Sequence, residues 1–187
     1  MKPFIYLDNA ATTKTAGEVV DAMLPWFTEN YGNPSSIYSL GAKSKEAVTQ
    51  ARETIAKSLG AQTEEIYFTA GGSEADNWAL KAAAEAYGDR GKHIITSKIE
   101  QYLEKHGCEV TYLGEDENGI VRLEELEAAI RPDTILISIM FANNEIGTIQ
   151  PIEKIGEIAK KHGVLFHTDG VQAYGQLPIS VDEYHID

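Results

Sequence analysis

The sequence predicts an α/β domain: a mainly parallel or mixed sheet flanked by helices. Three observations carry this expectation. Apolar runs with strand character recur at 65–69, 93–97, 109–113, 134–141 and 164–167. Helical patterns fall between them, and such alternation is the mark of parallel strands joined by helical crossovers. The run Thr134-Ile135-Leu136-Ile137-Ser138-Ile139-Met140-Phe141 is apolar on both faces, as a central parallel strand is. Ligands in such sheets lie beyond the carboxyl ends of the strands.

Taken in order, residues 1–15 read as an N-terminal arm and 16–40 as a helix and loop region. Within the latter, Asn30-Tyr31-Gly32-Asn33-Pro34-Ser35-Ser36 is a turn-rich connection between helices. The long arm reads equally as a cover for a site or partner subunit and as a surface connection. Residues 41–187 form the sheet domain, incomplete at its C-terminal end. Lys45 to Leu59 is helical, with Ala47, Val48, Ala51, Ile55, Ala56 and Leu59 near one face. The 65–69 strand runs into Gly71-Gly72-Ser73, and a helix follows from Ser73 to Tyr87, its start marked by the capping-box pattern Ser73-x-x-Asp76. Leu123 to Ile130 and Pro151 to His162 are further helices, the second opened by Pro151 and closed by Gly163. Pro178 to Ile186 is another strand-like approach. The crossover at 98–108 has 11 residues, against 23, 20 and 22 for those at 70–92, 114–133 and 142–163. A helical crossover needs about a dozen, so this one is at the lower limit.

Composition narrows the function classes. The chain has 187 residues, 43% of them hydrophobic, enough for a sizeable core. A net charge of −13 argues against a nucleic-acid partner, which needs clustered Lys and Arg, and against an anionic membrane surface. No run reaches transmembrane length, and Met1 to Asp8 lacks the apolar core of a signal peptide, so a cytoplasmic location is expected. The lone Cys108 fits a reducing compartment. No metal site is expected.

Three strand ends carry polar groups. At the first, the glycines of Gly71-Gly72-Ser73 permit close approach, the first helical N–H groups lack intrahelical acceptors, and Ser73 offers a hydroxyl. That is an anion cup, although an ordinary strand-to-helix turn has the same form. The second end runs into Asn143-Asn144-Glu145, and the third ends in Asp169-Gly170-Val171-Gln172. A carboxylate there is costly to bury without a partner, and a protonated heteroaromatic nitrogen is a suitable one. Pyridoxal phosphate supplies both that nitrogen and a phosphate for the Ser73 helix start. Gln172 and Asn144 could then hydrogen-bond the ring oxygen. Singly, Asp169 reads as a helix cap or loop acid and Asn144 as a turn residue; together, on one sheet edge, they favour the cofactor. A nucleotide site fails, for there is neither a Walker-type Gly-Lys-Ser/Thr nor a dinucleotide fingerprint.

These motifs resemble the pyridoxal-phosphate-dependent cysteine desulfurases of the NifS/IscS group. The likeness runs from Tyr6-Leu7-Asp8-Asn9-Ala10-Ala11-Thr12-Thr13 and Gly32-Asn33-Pro34-Ser35-Ser36 through 68–77 to Asn143-Asn144-Glu145-Ile146-Gly147-Thr148 and His167-Thr168-Asp169-Gly170-Val171-Gln172. It implies the large domain of a fold type I pyridoxal-phosphate-dependent transferase (class V aminotransferases), seen in part. It also implies that Gly72 and Ser73 hold the phosphate, Asp169 the pyridine nitrogen, and Gln172 and Asn144 the ring hydroxyl side. Asn33 would lie near the substrate carboxylate. The activity implied is conversion of L-cysteine to L-alanine and an enzyme persulfide. That persulfide supplies an iron–sulfur scaffold or other sulfur acceptor, and the implied assembly is a homodimer.

The departures are equally specific. The group's cofactor-tethering lysine sits in a Ser-x-His-Lys string, and no such string occurs here. The persulfide-forming Cys and the substrate-carboxylate Arg belong to a second half that these residues do not include. No catalytic residue is therefore assigned, and Cys108 reads as a small buried thiol. After Glu100 about eight residues of the group's pattern are absent, among them a His that stacks on the pyridine ring; His106 does not replace it. The resemblance implies that this chain alone is inactive. The alternatives are a truncated non-catalytic homologue or binding module, or another class V enzyme such as a selenocysteine lyase.

Overall fold

The computed structural model describes residues 3–97 and 107–187. The short crossover, the gap after Glu100 and His106 lie within or against the segment outside the described residues. Contacts divide the chain into two units, Met1–Tyr67 and Phe68–Asp187.

The first unit begins with the arm, whose Asp8 carbonyl accepts from Ala11 and Thr12 N–H. Helix α1 spans Gly17–Thr28 and buries none of its residues. Helix α2 spans Ser39–Leu59 and ends at Gly60, whose φ of 74° is the left-handed conformation that closes a helix. It starts six residues before the expected Lys45. Gly41 lies within its first turn, where a Cβ would lie 2.6 Å from the Asn33 carbonyl oxygen, so it is a packing residue. Ser44 Oγ donates to the Asn30 carbonyl and ties the same loop to α2.

The strand expected at 65–69 does not form. Thr63–Glu65 is a 3-10 turn closed by Glu65, whose carboxylate accepts from Gln62 N–H. The Ile66 carbonyl, which a sheet would use, accepts from Arg52 Nε at 2.9 Å instead. Tyr67 and Phe68 stay exposed.

The second unit is built on a four-stranded parallel sheet. Helix α3 covers Gly72–Tyr87, followed by β1 (His93–Thr96), β2 (Glu109–Tyr112), α4 (Leu123–Ala129), β3 (Thr134–Ser138), α5 (Ile152–His162) and β4 (Leu165–His167). The strand order is β2-β1-β3-β4. His93 pairs with Thr134 but Ile94 with Leu136, so Ile135 is an extra residue in β3. That bulge puts Ile135 and Leu136 on the same side of the sheet.

Both faces are covered. Ile94, Leu136 and Leu165 pack with Leu80 and Ala83 of α3. Ile95, Ile137 and Phe166 pack with Leu126 of α4 and Ile155 and Ala159 of α5. Each fully buried aliphatic or aromatic side chain contributes about 1.5–3 kcal/mol. His93 is fully buried too, its ring nitrogens shared between the Thr134 and Thr111 hydroxyls at 2.7 and 2.8 Å.

Strand β3 is shorter than the expected 134–141, although Ile139 and Phe141 N–H still donate to the His167 and Asp169 carbonyls. Beyond Phe141 the chain folds back on itself, with Ala142 bridging Ile149. Pro151 is the residue before α5, not its first, and Gly163 ends that helix at φ 67°. Residues 178–186 are not a strand: the Tyr184 and Ile186 N–H groups close turns onto Ser180 and Val181. Asp187 hydrogen-bonds to the sheet, donating its N–H to the Phe166 carbonyl and accepting from Phe166 N–H through its carboxylate.

Candidate active site

The site forms where α3 starts against the carboxyl ends of β1, β3 and β4. Helix α3 begins at Gly72, so Ser73 sits in its first turn and does not cap it. The expected capping box is therefore absent. Instead the Glu74 carboxylate accepts from Ala70 N–H at 2.6 Å, tying the residue before the N-cap to the first turn. Glu74 and Ala75 N–H both donate to the Gly71 carbonyl. The N–H groups of Gly72 and Ser73 thus belong to the set that a helix start leaves for an outside acceptor. Gly72 is needed for close approach, because a Cβ there would lie 2.9 Å from Val171 Cγ2.

A cavity of about 220 Å³ opens at this point, lined by Ser73, Asp76, Asn77, Thr96, Ser138, Met140, His167 and Asp169. Asp169 is held from two sides. Its carbonyl accepts from Phe141 N–H at 2.9 Å, extending the β3–β4 pairing. Its carboxylate accepts from Val171 N–H at 2.9 Å, a local turn that leaves further lone pairs available. Beside it, Thr168 Oγ1 is buried without a hydrogen-bond partner. A larger hollow of about 480 Å³ runs from Lys160 to Asp187 beside β4 and is lined by none of the cavity's side chains.

The structure brings Ser73 and Asp169 into one cavity and sets Gly72 against the Asp169 loop. Asn144 is exposed in the turn after Asn143, whose Oδ1 accepts from Glu145 and Ile146 N–H. Gln172 is half-buried in the turn after Asp169. Neither lines the cavity. Asn33, in the first unit, accepts from Ser35 N–H through its side chain.

Six residues of the cavity lining are given no cofactor role by the sequence: Asp76, Asn77, Thr96, Ser138, Met140 and His167. His167 Nδ1 lies 2.9 Å from Ser138 Oγ, and His167 Nε2 lies 3.5 Å from Asp76 Oδ1. The signal was present in the spacing, with His167 two residues before Asp169 at strand period and Asp76 one helical turn after Ser73.

Cys108 is half-buried beside the core under α3. Burial pushes its thiol up from the ordinary value, and Lys92 only partly offsets this. A thiol so raised is a poor nucleophile at neutral pH. Among the described residues no group of three or more His, Cys, Asp or Glu is arranged to hold a metal ion, and no helix is long and apolar enough to cross a membrane.

Comparison with known proteins places this geometry. The model of the class-V aminotransferase family matches residues 5–187, and the chain belongs to that family. It is 59% identical over 191 residues to a cysteine desulfurase IscS of Methanosarcina thermophila, covering 98% of this chain and 47% of that protein. It is 54% identical over 195 residues to a cysteine desulfurase IscS of Clostridium botulinum (strain Kyoto / Type A2), covering 100% of this chain and 49% of that protein. The chain thus spans about half the length of the curated relatives it matches. The second alignment exceeds the 187 residues of this chain by about eight positions, which agrees with an internal stretch of the relatives' pattern being absent here.

Among solved structures, SspA in complex with cysteine superposes with a TM-score of 0.93 at 43% identity, over 97% of this chain and 55% of that one. A NifS-like protein gives a TM-score of 0.93 at 40% identity, over 98% and 53%. The α/β architecture is therefore that of the NifS-like cysteine desulfurases, whose family is pyridoxal-phosphate-dependent in general.

Proposed function

We propose that this chain is the cofactor-binding part of a pyridoxal-phosphate-dependent cysteine desulfurase. The observation that carries this reading is the meeting of Ser73 and Asp169 in one cavity at the strand ends. The donor set fits the group. A helix start and a hydroxyl suit a phosphate, and a carboxylate with spare lone pairs suits a protonated ring nitrogen. Gly72 and Ser73 would hold the phosphate and Asp169 the pyridine nitrogen. Asn144 and Gln172, on the loops leaving β3 and β4, would reach the ring hydroxyl side, and Asn33 the substrate carboxylate.

Bound pyridoxal phosphate supplies an electron sink for the substrate carbon undergoing reaction. Asp169 would hold the proton on the ring nitrogen, and the helix start would offer its N–H groups and partial positive charge to the phosphate. The substrate is L-cysteine, the products L-alanine and an enzyme persulfide, and the acceptor an iron–sulfur scaffold or other sulfur-accepting protein. The working assembly is a homodimer in the cytoplasm.

These residues include no Ser-x-His-Lys string, and Cys108 is not in the cavity. The 187-residue chain is therefore expected to bind the cofactor without turning over L-cysteine. Equilibrium dialysis against pyridoxal 5′-phosphate tests the first part: Ser73→Ala and Asp169→Ala should each weaken binding at least about tenfold, each removing a charge-assisted hydrogen bond. Unchanged affinity in both variants would refute the site. Sulfide release from L-cysteine by the purified chain would refute the second part.

A further inference from the structure

The cavity is crossed by a line of side chains that the proposed cofactor contacts do not use. Asp76 lies on α3 one turn beyond Ser73, so the two share a helix face. Its Oδ1 lies 3.5 Å from His167 Nε2, and His167 Nδ1 lies 2.9 Å from Ser138 Oγ on β3. His167 is the last residue of β4 and precedes Asp169 by two. The line therefore runs from the helix that carries the phosphate donors to the strand end that carries the ring carboxylate. His167 and Asp76 are mostly buried, at 19% and 27% side-chain exposure, where such a contact is screened less than at the surface.

The two ring nitrogens of His167 face different partners, Nδ1 a hydroxyl within hydrogen-bond distance and Nε2 a carboxylate, so the ring bridges α3 and β3. The backbone at the same point is clamped, since the His167 carbonyl accepts from Ile139 N–H and the Asp169 carbonyl from Phe141 N–H. Val171 Cγ2 also comes near the helix start, where a Cβ added at Gly72 would lie 2.9 Å from it, but that approach is apolar and has no preferred direction.

We propose that Asp76, His167 and Ser138 form a strut that sets the separation between the Ser73 helix start and the Asp169 carboxylate. His167 and Asp76 are positioning residues: they act on a two-ended ligand by fixing the distance between its two anchor points. This rests on the reading that pyridoxal phosphate spans Ser73 and Asp169. A ligand held at one end only, such as inorganic phosphate at the helix start, does not depend on that separation.

The test measures two ligands on the same proteins: pyridoxal 5′-phosphate by equilibrium dialysis, and inorganic phosphate by the concentration constant with which it competes. His167→Ala and Asp76→Ala should each weaken pyridoxal phosphate about tenfold, the lower range of losses when an orienting partner of a binding group is removed. The double variant should lose no more than His167→Ala alone, because both changes cut one contact. His167→Gln, whose amide N–H can still reach Asp76, should recover part of the loss. The phosphate constant should stay within about twofold in every variant.

Urea midpoints accompany each measurement, and if His167→Ala does not fold, Asp76→Ala and His167→Gln carry the test. Equal weakening of both ligands, additive losses, or unchanged pyridoxal phosphate affinity would each overturn the strut while leaving the cofactor reading in place. Failure of the unaltered chain to bind pyridoxal phosphate would overturn the cofactor reading and the strut with it.

Discussion

The two units use the same grammar of amphipathic helices and reach opposite outcomes. In Phe68–Asp187 the helices close over both faces of a parallel sheet, and Phe166, Ile94, Ile95, Ile137, Leu126 and Ile155 are fully buried. In Met1–Tyr67, helix α1 buries nothing, and Val19, Met23, Leu24 and Phe27 stand at 46–71% exposure. The contrast shows that a helix pattern in sequence specifies which face is apolar, not what covers it. The sheet unit supplies its own cover and so can hold strand-end groups in fixed places. Exposed apolar surface of the kind α1 presents marks contact surfaces in folded proteins.

The largest effect that would break this comparison is cavity creation. Phe166→Ala should destabilise the chain by about 3–5 kcal/mol, whereas Phe27→Ala on α1 should change it by less than about 0.5 kcal/mol. Urea midpoints read both. Comparable losses would mean that α1 is packed and that the contrast is false.

A smaller effect concerns the buried histidine of the sheet. Burial holds His93 below the ordinary imidazole value, and the charge of Arg131 adds to this. With the folded pKa depressed, the neutral ring is the stable form in the fold. Its contribution is complete above about pH 6.5, the unfolded value, and falls as pH drops toward the depressed folded value. Urea midpoints from pH 7.5 to 5 should therefore decline, and His93→Gln should flatten the decline. A steeper slope in the variant would assign the effect elsewhere.

Gly72→Ala comes next. Its Cβ would press on Val171 Cγ2 at 2.9 Å, and a side-chain methyl can give way. We expect a loss of about 1 kcal/mol, in the lower range of overpacking costs, with weaker pyridoxal phosphate binding. Gly71→Ala should be near neutral by comparison, since nothing lies within 4 Å of its added Cβ. Equal effects at the two glycines would remove the argument for close approach. The smallest effect is at the surface: Lys161→Ala breaks an exposed pair with Glu127 and should leave the urea midpoint unmoved.

Much of the sheet unit was legible in the chain. Strands at 93–97, 109–113 and 164–167 appear within a residue or two, because each is a short strand-forming run bounded by turn or helix signals. The missing 65–69 strand was not legible. Ile66, Tyr67 and Phe68 have strand character, but Arg52, fourteen residues away, takes the carbonyl that pairing requires. Local composition carries no record of that competition. The same holds for 178–186, where turn hydrogen bonds consume the backbone groups of an apolar stretch. At the site, Ser73 and Asp169 were readable as one anion donor and one acid in need of a partner, while the expected Ser73 cap does not form and Glu74 accepts from Ala70 N–H instead.

From the chain alone come the family motifs, the α/β class with a mainly parallel sheet, and the expectation that Ser73 and Asp169 belong to one site. All three depend on residue type and local spacing, which sequence states directly. The folded structure decided the rest: that Asp76, Ser138 and His167 share the Ser73–Asp169 cavity, and that Asn144 and Gln172 stand outside its lining. Each of these depends on which distant backbone groups meet across β1, β3 and β4, and those meetings are settled by competition for hydrogen bonds and buried volume over the whole domain.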